Sequence, residues 1–265
     1  MTDAWQGYPC RIGSHPGFVT YNHSAAQRLA QLPFPFFTGF RVAFDAPEED
    51  GFPPTSEHER LRELEVFLAS RFSPDDALMV GRTTTNGERY FQFYTRLPRA
   101  ACKAIADRAW DLTGSEVAIA HEEDPARTTY WKELYPDEDG WQAIRDRSLE
   151  RALQDAGDPL TEAREILHWA WFGSADARAA FLAAVAQLAD LVAESEIPEG
   201  RFRFSAKLRH HGLPDSVSVH RVTLGLSRAA RANGGEYDGW EAQVCGPAGG
   251  DAEPATAAGA GGRGP

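Results

Sequence analysis

The pattern of apolar and polar positions predicts two successive modules of strands and helices. In the first module, Asn86-Gly87 separates two strand-like runs and is typical of a two-residue hairpin turn. The predicted elements, in chain order, are a strand over 36–44, a helix that carries Leu61, Leu64 and Leu68, a hairpin of strands 78–85 and 88–96, a helix from Pro98 to Gly114, and a strand over 115–120. This β-α-β-β-α-β order predicts a ferredoxin-like fold.

The second module repeats that order. Its predicted elements are strands over 164–172, 201–209 and 237–244 and helices that begin near Ser174 and Ser218. A strand between 191 and 198 is inferred from the symmetry alone. We therefore predict an α+β protein of two tandem ferredoxin-like domains.

Two further segments complete the organisation. A polar amphipathic helix over 141–156 is predicted to connect the domains. The last stretch contains Gly, Ala and Pro with a few charges and has no large apolar side chain, so a disordered tail is predicted. The predicted boundaries are 1–135 for the first domain, 136–160 for the helical linker, 161–245 for the second domain and 246–265 for the tail.

The open face of each sheet is where a partner is expected to bind. A ferredoxin-like sheet packs its helices on one face, and alternation along the strands predicts the side chains on the other. Phe91 and Phe93 are expected in the first core, and Trp240, Ala242 and Val244 in the second. The candidate partner-binding residues are Tyr90, Tyr94, Arg96, His168, Arg201, Arg203, Lys207, Arg209, Tyr237 and Glu241.

Three interpretations of these faces stay open. Tyr, Trp and Arg are frequent hot-spot residues of protein interfaces, and the basic strand 201–209 would attract an acidic partner segment. Aromatic and Arg side chains on an open sheet also form stacking platforms for RNA. In the third interpretation, each face packs on the other domain or on a second copy of the chain.

The net charge and the number of cysteines narrow the choice of partner and of cellular compartment. The chain has 265 residues and a formal net charge of −12, which counts against a general nucleic-acid binder and makes RNA the less favoured partner. Cys10, Cys102 and Cys245 are too few and too scattered for a disulfide framework. With no signal peptide and no apolar stretch long enough to cross a bilayer, we expect a cytoplasmic protein without membrane association. The sequence does not indicate an oligomeric state.

Motifs for catalysis are absent from the sequence. It contains no phosphate-binding loop, no HExxH and no CxxC. The run 121–124, His-Glu-Glu-Asp, is expected to be a solvated loop, and His210-His211 has no partner that the sequence places. We therefore predict no catalytic residue, metal ion or cofactor. An enzyme with a site between the domains, around His210 and His211, stays an alternative.

Two family resemblances sharpen these expectations. Residues 234–244, Gly-Gly-Glu-Tyr-Asp-Gly-Trp-Glu-Ala-Gln-Val, with His-Trp-Ala-Trp-Phe at 168–172, resemble the RraB family, regulators of ribonuclease E activity. The matching motif residues are Trp169, Trp171, Gly235, Tyr237, Asp238, Gly239 and Trp240. The resemblance covers about 158–245 and implies a ferredoxin-like fold and inhibition of the endoribonuclease by protein contact. Gly239 is also expected to permit a bulge or a close approach of the backbone.

The N-terminal part resembles a bacterial domain of unknown function, family 695. The similar pieces are Asp-Gly-Phe-Pro at 50–53, Glu-Leu-Glu at 63–65, Thr-Asn-Gly at 85–87, Phe-Tyr at 93–94 and Asp-Pro at 124–125. Arg127 stands where that family often has Trp. Together, the sequence predicts a non-enzymatic protein that binds a protein partner, with a ribonuclease as the leading candidate.

Overall fold

The chain consists of two compact units. The structure is a computed structural model, and it describes residues 3–114 and 116–246. The units divide between Asp137 and Glu138. The predicted tail lies outside the described residues from 247 onward.

The first unit is a six-stranded antiparallel sheet with helices. Its elements are β1 (Trp5–Ile12), β2 (His15–Asn22), α1 (Ala25–Arg28), β3 (Phe36–Ala43), α2 (His58–Ser70), β4 (Ala77–Thr85), β5 (Glu88–Thr95), α3 (Arg99–Thr113) and β6 (Val117–Glu123). The sheet order is β1-β2-β4-β5-β3-β6. The predicted order β3-α2-β4-β5-α3-β6 is confirmed. The sequence pattern misses the hairpin β1–β2 because Gly7 and Pro9 interrupt the alternation of β1.

Local signals in the first unit are confirmed at two places. Asn86 and Gly87 both have positive φ, 49° and 78°, as a type I′ turn requires. Phe91 and Phe93 are buried in a cluster with the leucines of α2 and with Cys102 of α3. The helices therefore pack on the predicted face of the sheet.

Part of the opposite face is covered by the chain that follows β6. The side chain of Tyr94 is fully buried there, and its Oη donates to Oδ2 of Asp124 at 2.6 Å. Asp124 also accepts from the backbone N–H groups of Thr128 and Thr129 at 2.8 and 2.9 Å, which holds the segment in place. The prediction that Tyr94 lies on an open face is wrong, because a segment distant in sequence covers it.

Arg127 belongs to the same segment. Its side chain is buried and donates to the carbonyl oxygens of Leu29 at 3.3 Å and Leu32 at 2.9 Å. Its guanidinium carbon lies 4.9 Å from the ring centroid of Tyr94. Arg127 therefore holds this segment against the residues that follow α1 by hydrogen bonding and against Tyr94 by packing.

The second unit is a four-stranded antiparallel sheet with helices. Its elements are α4 (Glu138–Asp155), β7 (Arg164–Phe172), α5 (Ala175–Val185), β8 (Asp190–Glu196), β9 (Phe204–Gly212), α6 (Ser216–Ala232) and β10 (Glu236–Ala242). The sheet order is β10-β7-β9-β8, so β10 and β8 are its edges. The predicted element order is confirmed, including the strand inferred from symmetry. Arg201 and Arg203 precede β9, which corrects the predicted start of that strand.

The helix predicted as a linker is part of the second unit. α4 packs against α6, and its Leu153 joins a buried cluster with Ile166, Val219 and Trp240. The polar sequence of α4 does not indicate this role, because α4 is attached largely through buried polar side chains such as Asp146. The predicted linker is therefore corrected to a helix of the second unit.

Candidate protein-binding site

The open face of the second sheet carries two tryptophans. On β7, Leu167, Trp169 and Trp171 are half-buried and alternate with residues in the core under the helices. Lys207 of β9 is the register partner of Trp169, and its Nζ lies 4.9 Å from the ring centroid. This surface therefore offers large aromatic groups beside a cation, a combination frequent at protein interfaces.

The basic strip beside these tryptophans is largely paired within the domain. Arg203 forms an ion pair with Glu196 at 2.5 Å. Arg209 lies 3.4 Å from Glu165 and 4.0 Å from Asp190. Exposed Arg201 stacks over the Phe202 ring, with its guanidinium carbon 4.7 Å from the centroid. The strip therefore presents less free positive charge than its sequence indicates.

A cavity of about 550 Å³ lies between α4 and the edge strand β10. Trp141, Ile144 and Leu149 of α4 form one wall. The other wall contains residues 238–241 of β10 and the indole of Trp169. A concave, mostly apolar site with a few polar groups is a typical binding site.

The β-bulge in β10 shapes this cavity. The register with β7 shifts between Tyr237 and Gly239, and Gly239 has a φ of +136°. Of the two alternatives expected at Gly239, the structure shows the bulge and not the close approach. Gly239 is the register partner of Trp169, and both residues line the cavity.

The same bulge corrects the predicted position of Tyr237. The extra residue puts Tyr237 and Trp240 on the same side of the sheet, although they are three positions apart. Both are buried, Tyr237 at 6 % exposure. Trp240, Ala242 and Val244 lie in the core as predicted, and Glu241 lines the cavity.

Asp146 fixes the wall that α4 contributes. Its carboxylate is fully buried and accepts from Trp240 Nε1 at 3.0 Å, Gln142 Nε2 at 2.8 Å and Thr223 Oγ1 at 2.6 Å. Nδ1 of His220 lies 2.9 Å from the same carboxylate. α4, α6 and β10 therefore meet at one side chain, which sequence reasoning missed because it treated α4 as a connection.

His168 is buried under the helices, so its predicted place on the open face is wrong. Its Nδ1 lies 2.7 Å from the Tyr237 hydroxyl and its Nε2 2.7 Å from Nδ1 of His210. Burial, with the nearby His210, lowers the pKa of His168 to about 3. Burial, with a further contribution from His211, also lowers the pKa of His210. His168 is therefore a neutral core residue at neutral pH.

The remaining candidates of the first domain are engaged locally. Tyr90 is half-buried and donates to Oε2 of Glu88 at 2.6 Å. Arg96 pairs with Asp76 at 2.8 Å. Across residues 3–114 and 116–246, no group of three or more His, Cys, Asp or Glu side chains is arranged to hold a metal ion. The candidate binding groups that lie close together, around Trp169 and the cavity, are therefore in the second domain.

Comparison with known proteins agrees with this architecture of two α+β units. Residues 3–135, half of the chain, match the family described as Family of unknown function (DUF695), and the protein belongs to that family. Residues 143–242 match RraB, described as Regulator of ribonuclease activity B, so the second unit is an RraB domain whose match begins within α4. Both resemblances are thus confirmed. No curated protein matches the chain. None of the helices in the described part of the chain is long and apolar enough to cross a membrane.

Proposed function

We propose that this protein is a non-enzymatic regulator that binds a ribonuclease, of the ribonuclease E type, through its second domain in the cytoplasm. One observation carries the proposal. Four of the seven residues on which the RraB resemblance rests, Trp169, Asp238, Gly239 and Trp240, line the cavity between α4 and β10. The residues that mark the family therefore converge on one concave surface.

The chemistry of this surface suits a protein partner. A cavity of about 550 Å³ has room for side chains of a partner, and the half-buried indoles of Trp169 and Trp171 offer apolar area beside it. Buried aromatic anchors usually contribute most of the binding energy of an interface. We infer that the partner covers the cavity and the neighbouring open face together.

The test is inhibition of purified ribonuclease E by the purified full chain. We expect the chain to lower the rate at which the enzyme cleaves a fluorogenic RNA. Trp169→Ala should weaken this inhibition at least ten-fold. Trp110→Ala is the matched control, because Trp110 is a 54 % exposed tryptophan of the first domain. Full inhibition by Trp169→Ala, or no inhibition by the natural chain, would overturn the proposal.

A second measurement tests whether the chain binds RNA directly. A gel shift of the same RNA with the chain alone should show no complex at physiological salt, because the chain carries a net charge of −12. A salt-sensitive shift at concentrations that inhibit the enzyme would mean that the chain sequesters substrate. That result would refute regulation by protein contact.

A further inference from the structure

We infer that the cavity between α4 and β10 takes a cationic side chain, an arginine or a lysine, from the bound partner. This inference rests on the proposed function and specifies the chemistry of the partner segment. It reverses the expectation from the strand 201–209, which favoured an acidic segment.

The walls of the cavity favour a cation. Trp141 from α4, Trp169 from β7 and Trp240 from β10 all line it. The faces of indole rings attract cations more strongly than those of the other aromatic side chains. The Trp169 ring already shows this behaviour within the domain, because Nζ of Lys207 lies 4.9 Å from its centroid.

The charges at the cavity favour the same ligand. Asp238 and Glu241 line it, and within 3–114 and 116–246 neither carboxylate forms an ion pair at 4.0 Å or less. Arg145 is the cation among the lining residues, and its Nη2 donates to Oε1 of Gln142 at 3.0 Å. Asp146 adds a third, buried carboxylate beneath them. The three carboxylates outnumber the two cations, Arg145 and the Lys207 ammonium at the Trp169 ring, so the net charge at the cavity is negative and favours a cation over an acidic segment.

The geometry of β10 makes both carboxylates available. Asp238 is exposed and lies in the bulge, and Glu241 is half-buried three residues further on. β10 is an edge strand, so no neighbouring strand covers this side. A guanidinium or ammonium group that enters the cavity would therefore meet Trp141 and Trp169 as well as these two carboxylates.

The test compares three capped pentapeptides, Leu-Gly-X-Gly-Leu, in which X is arginine, citrulline or glutamate. Citrulline has nearly the shape of arginine but carries no charge. Binding to the full chain is followed by the indole N–H signals of its seven tryptophans in NMR spectra. We expect the arginine peptide to bind at least ten-fold more tightly than the other two and to shift the signals of Trp141 and Trp169. Equal binding of the citrulline peptide, or tighter binding of the glutamate peptide, would overturn the inference.

Variants assign the effect to the cavity. Asp238→Asn with Glu241→Gln should weaken binding of the arginine peptide at least ten-fold and leave the citrulline peptide unchanged. Glu162→Gln, which removes an exposed charge outside the cavity, is the matched control and should change neither. Unchanged indole spectra of the free variants verify their fold. An unchanged affinity of the double variant for arginine would refute the cavity as the site.

The two proposals fail in different ways. If the arginine peptide binds as expected but ribonuclease E is not inhibited, the proposed target is wrong and the cation site stands. If ribonuclease E is inhibited equally by the natural chain and by the Asp238→Asn, Glu241→Gln variant, the cation site is wrong and the regulatory function stands.

Discussion

Replacing Asp146 by alanine should detach α4 from the second domain. The carboxylate is fully buried and joins α4 to Thr223 and His220 of α6 and to Trp240 of β10. Alanine fills part of the volume but accepts no hydrogen bond. The buried donors around the site are then left without an acceptor, which is more costly than losing an exposed ion pair.

The expected loss in the free energy of unfolding follows from those hydrogen bonds. Each buried donor left unsatisfied costs about 1–3 kcal/mol, and these costs are not additive because the helix can shift. Removing one partner of a buried charged network typically costs about 3–5 kcal/mol. We expect the free energy of unfolding of the second domain to fall within that range. With a urea m-value of about 2 kcal/mol/M, the midpoint falls by about 2 M.

The assay must separate the two domains. We suggest 19F NMR of chain labelled with 5-fluorotryptophan during a urea titration. Four of the seven tryptophans, Trp141, Trp169, Trp171 and Trp240, report on the second unit, and the other three report on the first. The signals of the second unit should lose intensity at lower urea, while those of the first unit keep their midpoint.

Asp139→Ala is the matched control on the same helix. Asp139 also joins α4 to α6, through Arg228 and Arg231 at 2.6 Å, but its side chain is partly exposed. An exposed pair of this kind contributes about 1 kcal/mol or less. If Asp146→Ala lowers the midpoint no more than Asp139→Ala does, the argument that Asp146 anchors α4 is refuted.

Three further predictions use the same titration. Because burial lowers the pKa of His168 to about 3 from an ordinary 6.5, the unfolded chain binds a proton that the folded chain does not between those values. Proton uptake by His168 alone should therefore cost the second domain about 2 kcal/mol from pH 7 to pH 5, and His168→Gln should remove that part of the pH dependence. Tyr94→Phe removes a hydrogen bond to a buried carboxylate and should cost the first domain about 1.5–3 kcal/mol. Gly235→Ala places a Cβ 2.2 Å from a ring carbon of Phe172 and should cost the second domain about 1–3 kcal/mol, whereas Gly173→Ala, with 3.5 Å to its nearest neighbour, should cost less.

Each of these three predictions would be contradicted by a specific result. Equal midpoints of the second domain at pH 5 and pH 7 would mean that His168 does not stay neutral in the folded state. A Tyr94→Phe variant as stable as the natural chain would show that the segment over this face is held by other contacts. If Gly235→Ala is no worse than Gly173→Ala, the close approach of Gly235 to Phe172 is wrong.

Local signals explain why so much of the fold can be predicted. The turn at Asn86-Gly87 depends on the backbone preferences of two residues. The core positions Phe91, Phe93 and Trp240 depend on alternation along single strands. The bulge at Gly239 depends on a residue that tolerates positive φ. None of these features requires knowledge of a distant segment.

The wrong predictions concern side chains whose position depends on a segment distant in sequence or on a one-residue shift of strand register. The bulge at Gly239 moves Tyr237 to the core side, because one extra residue reverses the parity of a strand. In β7, apolar residues occupy both faces, so alternation does not show that Trp169 is outside and His168 inside. Asp146 has the sequence appearance of a solvated helix residue, and only the fold brings donors from α6 and β10 to it.

The central claim is that the second domain binds a ribonuclease at the cavity between α4 and β10. Hydrogen–deuterium exchange of the full chain, with and without purified ribonuclease E, tests it most directly. The account predicts slower exchange in 138–155 and 236–242 on addition of the enzyme, and unchanged exchange in the first domain. Protection confined to the first domain, or absent from both segments at saturating enzyme, would contradict it.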